Sequence, residues 1–178
     1  IYDGRPEAML QLAGLYERTD QTTKSLGMYQ EVLDLVTGPR LAMQDSAAQL
    51  EWGEQEQIAT SLLAQAYSAS GRYADAVGAY QGYLDNHPED VQVASNMAGT
   101  MVLMGDTVGA QGVYADLLAR PGLGSREAFS VGIGYYNLEA YSEAAAAFKK
   151  SLDGNSMSRD GPYHYGQSLV VCLLFTSS

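Results

Sequence analysis

Residues that carry chemistry are scarce in this chain. A single cysteine, Cys172, can close no internal disulfide and supply no thiolate cluster. The two histidines, His87 and His164, leave little for a histidine-based metal site or catalytic triad. Bases are also few: 10 lysines and arginines stand against 21 acids, for a net charge of −11. So acidic a chain repels phosphate backbones, which weighs against DNA or RNA binding. The deficit is uneven, with 16 acids and 6 bases in residues 1–123 but 5 and 4 in residues 124–178. No apolar run approaches the roughly 18 residues a membrane span needs, so no direct membrane insertion is expected. The chain opens on Ile1, and nothing near it reads as a charged segment followed by an apolar leader core. The expectation is a start further upstream or a leader already removed, with the compartment open between cytoplasm and periplasm.

What is present favours helix. The chain has 178 residues, 46% of them apolar and 17% charged, so it can bury a core. Alanine and leucine together supply 43 residues, and runs of β-branched residues are rare. Apolar residues recur at helical spacing, as in Leu62, Leu63, Ala66 and Tyr67, then Ala76, Val77, Tyr80 and Leu84.

A repeat organises these helices. One frame reads Leu63-Ala64, Tyr67, Gly71, Tyr73, Ala76, Tyr80, Tyr83-Leu84 and Pro88. Shifted by 34 residues it becomes Met97-Ala98, Met101, Gly105, Thr107, Ala110, Tyr114 and Leu117-Leu118. The next shift gives Val131-Gly132, Tyr135, Glu139, Tyr141, Ala144, Phe148 and Ser151-Leu152. Upstream, Leu12-Ala13, Tyr16, Asp20, Ser25, Tyr29 and Val32-Leu33 form another frame, displaced by an extra 17 residues. A partial fifth frame opens near Pro162, with Gly166 and Leu169 in register.

This pattern resembles the tetratricopeptide repeat (TPR) family. The family's Trp is missing throughout, its sites being Met9, Thr60, Ala94 and Ala128. Only Pro88 stands at the family's terminal proline in register. The resemblance implies an all-α, right-handed α–α superhelix, a solenoid of antiparallel helix pairs. The expected division is repeats at 6–39, 57–90, 91–124 and 125–158, an insertion at 40–56 and the start of a fifth repeat at 159–171. Helices are expected at 7–18, 22–36, 44–70, 73–86, 90–104, 107–120, 125–138, 141–153 and 162–172. The stretch Cys172–Ser177 resembles a translated transposase adapter. Residues 172–178 are therefore read either as a non-native tail on a fragment or as an ordinary apolar helix end.

Within this frame the small residues have a steric role. Ala64, Ala98 and Gly132, with Ala76, Ala110 and Ala144, should let paired helices approach. Tyr80, Tyr114 and Phe148 should fill the space between hairpins. The insertion contributes Trp52, either docked on the array or offered to a partner, and the acids Asp45, Glu51, Glu54 and Glu56, expected on a solvated face. Tyr80→Ala should cost about 3 kcal/mol as a buried ring. His87, in an inter-repeat turn, is expected at the surface, where replacement changes stability by less than about 0.5 kcal/mol.

No constellation makes an enzyme. His87 and His164 fall far apart in a solenoid. Gly132-Ile133-Gly134 lies inside a predicted helix rather than after a strand, so it is no phosphate loop. Glu89-Asp90 reads as a helix start. No cofactor and no metal is implied. The resemblance implies instead a groove lined by the first helix of each pair, carrying Ser61, Gln65, Ser68, Gln92, Asn96, Arg126, Phe129, Ile133 and Tyr136. Some TPR proteins clamp a partner's terminal carboxylates with several basic residues. Here Asn96 and Arg126 stand at such positions, but Gln65 replaces an Asn, Ser61 and Ser130 replace bases, and one cation cannot reproduce the clamp. Arg126 has a local alternative, capping its own helix start with Ser125 or pairing with Glu127. The expected function is a non-enzymatic scaffold that binds a peptide or partner helix. The alternative is a regulatory or structural segment of a larger enzyme or cell-envelope assembly protein.

Overall fold

The structure, a computed structural model, describes residues 6–40 and 46–154. The expected fifth repeat with His164, the 172–178 tail and the Trp52 side chain lie outside what is described. Among the described residues, eight α-helices form two compact units. The first unit, which ends at Pro88, holds α1 (Pro6–Arg18), α2 (Thr22–Arg40), α3 (Ser46–Ala69) and α4 (Tyr73–Leu84). The second, from Glu89, holds α5 (Val91–Met104), α6 (Thr107–Ala119), α7 (Ser125–Asn137) and α8 (Tyr141–Asp153). Within each unit consecutive helices pack together, and alternate helices also meet: α1 on α3, and α5 on α7.

Four hairpin turns are built alike. Asp20, Gly71, Gly105 and Glu139 all adopt the left-handed conformation, with φ of 57°, 73°, 88° and 59°. Each turn closes with the paired bonds that end a helix on a left-handed residue. The longer bond runs from the amide N–H of Gln21, Arg72, Asp106 or Ala140 to the carbonyl of Tyr16, Tyr67, Met101 or Tyr135. The shorter runs from Asp20, Gly71, Gly105 or Glu139 to Glu17, Ser68, Val102 or Tyr136. Gly adopts this conformation without strain, whereas Asp20 and Glu139 hold it against a cost of about 1–2 kcal/mol.

The cores follow the repeat. In the first unit Ala13, Tyr29, Leu63 and Ala66 form one buried cluster, and Met9, Val32, Val36 and Ala59 another. In the second, Tyr114 of α6 reaches across to Tyr135 of α7, with ring centres 5.5 Å apart. Phe148 of α8 is fully buried against α7. The positions where the family carries Trp are all buried here by smaller residues: Met9, Thr60, Ala94 and Ala128.

The helical glycines fall into two kinds. A Cβ on Gly132 would meet the Phe148 ring at 2.5 Å, and one on Gly134 would strike the Tyr114 ring. A Cβ on Gly78 or Gly82 of α4 would meet nothing within 4 Å. Glycine inside a helix costs about 1 kcal/mol relative to alanine. Gly78→Ala and Gly82→Ala should therefore each raise stability by about 0.5–1 kcal/mol. Gly132→Ala should lower it by at least about 1 kcal/mol, since overpacking outweighs propensity. Urea midpoints of the three variants check this; a stabilising Gly132→Ala would show that the α7–α8 contact is looser than described.

From Ser46 onward the insertion extends the following helix, so α3 runs for 24 residues. This overturns two expectations. Glu56 does not lie on a solvated face: it is 5% exposed. His87 is not a bare surface residue: its Nε2 lies 3.3 Å from Glu56 Oε2, with side-chain exposures of 14% and 6%. The imidazole also stacks on Tyr83, with ring centres 4.4 Å apart and planes at 27°. The physical reason is the length of α3. Glu56 precedes Asp90 by one repeat, and Asp90 caps a helix start by accepting from the Val93 N–H at 3.0 Å. In α3 the helix continues through that position, so its acid points into the fold. Removing one partner of a buried charged pair costs about 3–5 kcal/mol, less where one side is partly open. We expect Glu56→Ala and His87→Ala each to destabilise by about 2 kcal/mol, and the double variant by clearly less than their sum. Exposed Glu54→Ala should stay within about 0.5 kcal/mol. A His87→Ala urea midpoint equal to that of Glu54→Ala would refute the clasp.

Candidate functional site

The expected site residues divide between the units. Ser61, Gln65 and Ser68 lie on α3 of the first unit, Gln65 exposed and the two serines half-buried. Gln92 and Asn96 lie on α5, and Arg126, Phe129, Ile133 and Tyr136 on α7, all in the second unit. Because α5 packs beside α7, residues about 30 positions apart in sequence lie on neighbouring helices of this unit.

The second unit's first-helix face is mostly polar. Gln92 Nε2 donates to Asn96 Oδ1 at 3.0 Å, so one amide orients the other and leaves further donors and acceptors for a partner. Arg126 is exposed, and among the described residues its guanidinium makes no hydrogen bond or ion pair; its carbonyl accepts from Ser130 Oγ at 3.3 Å. The local alternatives for Arg126, capping with Ser125 or pairing with Glu127, are thus not what the structure shows. Ser130 and Ile133 are half-buried beside it. Gln92 also borders an open hollow of about 560 Å³ at the starts of α5 and α7, with Arg120 and Glu127.

The aromatic residues serve packing more than display. Phe129 lies against Phe148 with ring centres 5.5 Å apart. Tyr136 meets Tyr141 edge-on, also at 5.5 Å. Both are half-buried, so each offers a partner only part of its ring. Burial raises the hydroxyl pKa of Tyr114 and Tyr135 above the ordinary tyrosine value. The neighbouring Tyr135 adds to the first shift, and Glu143 and Asp116 to the second. These tyrosines are neutral packing groups at physiological pH.

Sequence reasoning missed a cleft in the first unit. It encloses about 330 Å³ and is lined by Leu33 and Asp34 of α2, Glu56, Leu63 and Tyr67 of α3, and Asp75, Gly78 and Gly82 of α4. Its one advance signal was the pair of glycines inside α4, which no turn requires. Among the described residues no group of His, Cys, Asp and Glu could hold a metal ion. No described helix is long and apolar enough to cross a membrane.

Comparison with known proteins gives the same repeat. Residues 8–43 and 59–92 match the tetratricopeptide repeat model. The crystal structure of BtubC (BKLC) from P. vanneervenii is similar at a TM-score of 0.63 and 18% identity, over 93% of this chain and 72% of that one. A thermophilic TPR protein from Thermus thermophilus is similar at a TM-score of 0.53 and 15% identity, over 93% of this chain and all of that one. The comparison with curated proteins gave no match. The two matched segments span α1–α2 and α3–α4 with their turns, and the described chain contains helices and no strand. The chain thus carries tetratricopeptide repeats, at residues 8–43 and 59–92, within the all-α helical-repeat fold of that family.

Proposed function

We propose that this chain is an interaction scaffold that binds a peptide or partner helix along the first-helix face of its hairpins. Tetratricopeptide repeats suggest protein partners, and the family is generally non-catalytic. The observation that carries the finer reading is the pairing of α5 with α7. It sets the amides of Gln92 and Asn96, the free guanidinium of Arg126 and the half-exposed Ile133 on one unit. Amides that can bond a partner's backbone, one cation and a shallow apolar contact suit an extended segment or a helix. The proposed division into repeats at 6–39, 57–90, 91–124 and 125–158 places an equivalent helix, α3 with Ser61, Gln65 and Ser68, in the first unit.

The test begins with peptides selected from a random display library on the full chain. Their affinity is then measured for Asn96→Ala and Arg126→Ala, with folding verified by circular dichroism. Either substitution should weaken a groove-bound peptide by about tenfold, the worth of one charge-assisted or buried hydrogen bond. Phe129→Ala is a poor probe, because its ring supports Phe148 and its loss disturbs the fold. If selected peptides bound both variants as tightly as the parent chain, the first-helix face of the second unit would not be the binding surface.

A further inference from the structure

The cleft of the first unit lies between α2 and α4, with α3 as its floor. It is a different surface from the first-helix face, and nothing in the preceding proposal depends on it. Its volume of about 330 Å³ is enough to receive side chains of another polypeptide. Leu33, Leu63, Tyr67 and Ala79 line it with apolar surface. Three carboxyl groups from three different helices line it too: Asp34, Glu56 and Asp75. Glu56 is the most buried of the three, 5% exposed, and lies 3.3 Å from His87 Nε2.

Two further observations say what fits. First, the wall formed by α4 is bare. Gly78 and Gly82 are four residues apart on the cleft side, and a Cβ on either would meet nothing. The packing of this unit does not require glycine there, so the space is open to an incoming chain. Second, one end of the cleft already shows how a cation is held. Arg72 Nε lies 2.6 Å from Asp75 Oδ2, and its guanidinium stands 4.5 Å from the centre of the Tyr67 ring. At the other end Asp34 accepts, among the described residues, a neutral amide bond from Gln30 at 3.1 Å. A carboxylate there beside Leu33 and Leu63 matches a long basic side chain, whose stem is apolar and whose head is charged. A second copy of this chain, at a net charge of −11, is the wrong partner for such a surface.

We propose that the α2–α3–α4 cleft docks a basic segment of a partner polypeptide. A lysine or arginine of that segment lays its stem on Leu33, Leu63 and Ala79 and directs its head toward Asp34, with the Glu56 carboxyl group behind it. The bare wall at Gly78 and Gly82 admits the partner's backbone.

The experiment measures fluorescence anisotropy of labelled oligo-lysine and oligo-arginine peptides with the full chain, against an oligo-glutamate control of equal length. Gly82→Leu adds a side chain to the cleft wall, at a position where a Cβ meets nothing within 4 Å, and should weaken binding at least tenfold while leaving the circular dichroism unchanged. Asp34→Asn, at an exposed site that does not test folding, should weaken it several-fold. Asp116→Asn removes the same charge from the second unit and should leave affinity within a factor of two. Failure of the basic peptides to bind overturns the proposal. So does equal binding to the parent chain and Gly82→Leu, or an Asp116→Asn loss as large as that of Asp34→Asn. The last outcome would mean only general attraction to an acidic chain.

Discussion

Phe148 can lie against α7 only because residue 132 has no side chain. The same holds one helix earlier, where Tyr114 occupies the space that a Cβ on Gly134 would need. Aromatic rings are the largest parts available to fill a two-layer array of short helices, and each contributes roughly 2 kcal/mol of burial. They can do so only if the opposite helix is thin at that point. The exchange of a bulky ring on one helix for a missing side chain on its neighbour sets the spacing of α6, α7 and α8. That spacing decides which side chains of α7 stay on the outside. Ile133, between the two glycines, is left on the half-exposed side, while Gly132 and Gly134 turn inward.

The repeat was legible because its strictest demands are local. A helix that must stop and reverse needs a left-handed residue, and the frame marked Asp20, Gly71, Gly105 and Glu139 as equivalent. All four are left-handed and all four close the same pair of hydrogen bonds. Small and aromatic positions could be read for the same reason, since Ala64, Ala98, Ala110 and Ala144 are buried where helices meet. What could not be read were interactions that break the period. Glu56 falls where later repeats begin a helix, and only the extra turns of α3 carry it into the interior. His87 looked like a turn residue because the residues around it are turn residues. The cleft is only partly repeated at a 34-residue offset, since Gly78 corresponds to Gly112 but Asp75 and Gly82 correspond to Gly109 and Asp116, and its lining comes from helices adjacent in space but tens of residues apart. For the candidate site, the sequence assigned Gln92 and Asn96 to one helix and Arg126, Phe129, Ile133 and Tyr136 to another, as α5 and α7 have them, but it could not show that Phe129 and Tyr136 spend much of their rings on Phe148 and Tyr141.

Charge separates the two surfaces proposed for binding. The first-helix face of the second unit offers one cation, Arg126, among amides and hydroxyls. The cleft of the first unit offers carboxyl groups against an apolar floor. A partner suited to one is poorly suited to the other, because like charges brought together at an interface cost several kcal/mol. The cleft also lies in the unit with more acids: residues 1–88 carry 12 acids and 5 bases, and residues 89–178 carry 9 and 5.

The length of α3 connects that cleft to the stability of the unit. A first helix of ordinary length would begin near residue 57 and leave residue 56 as a cap. Here the helix starts at Ser46, and the acid at 56 becomes a side chain on an uninterrupted helix. It can then reach the chain leaving α4, where His87 is held by Tyr83 beneath it. The α3–α4 pair is consequently tied at both ends: by the Tyr67–Arg72 turn bond at one and by the Glu56–His87 clasp at the other. Tyr67, Glu56 and Tyr83 also line the cleft. Its floor and one wall are thus fixed by contacts that exist before any partner arrives. A cleft held open in this way has less ordering entropy to lose on binding. This gives the glycines of α4 a physical setting: with both ends of the helix pair fastened, α4 tolerates two residues that lower its own propensity and leave its wall bare.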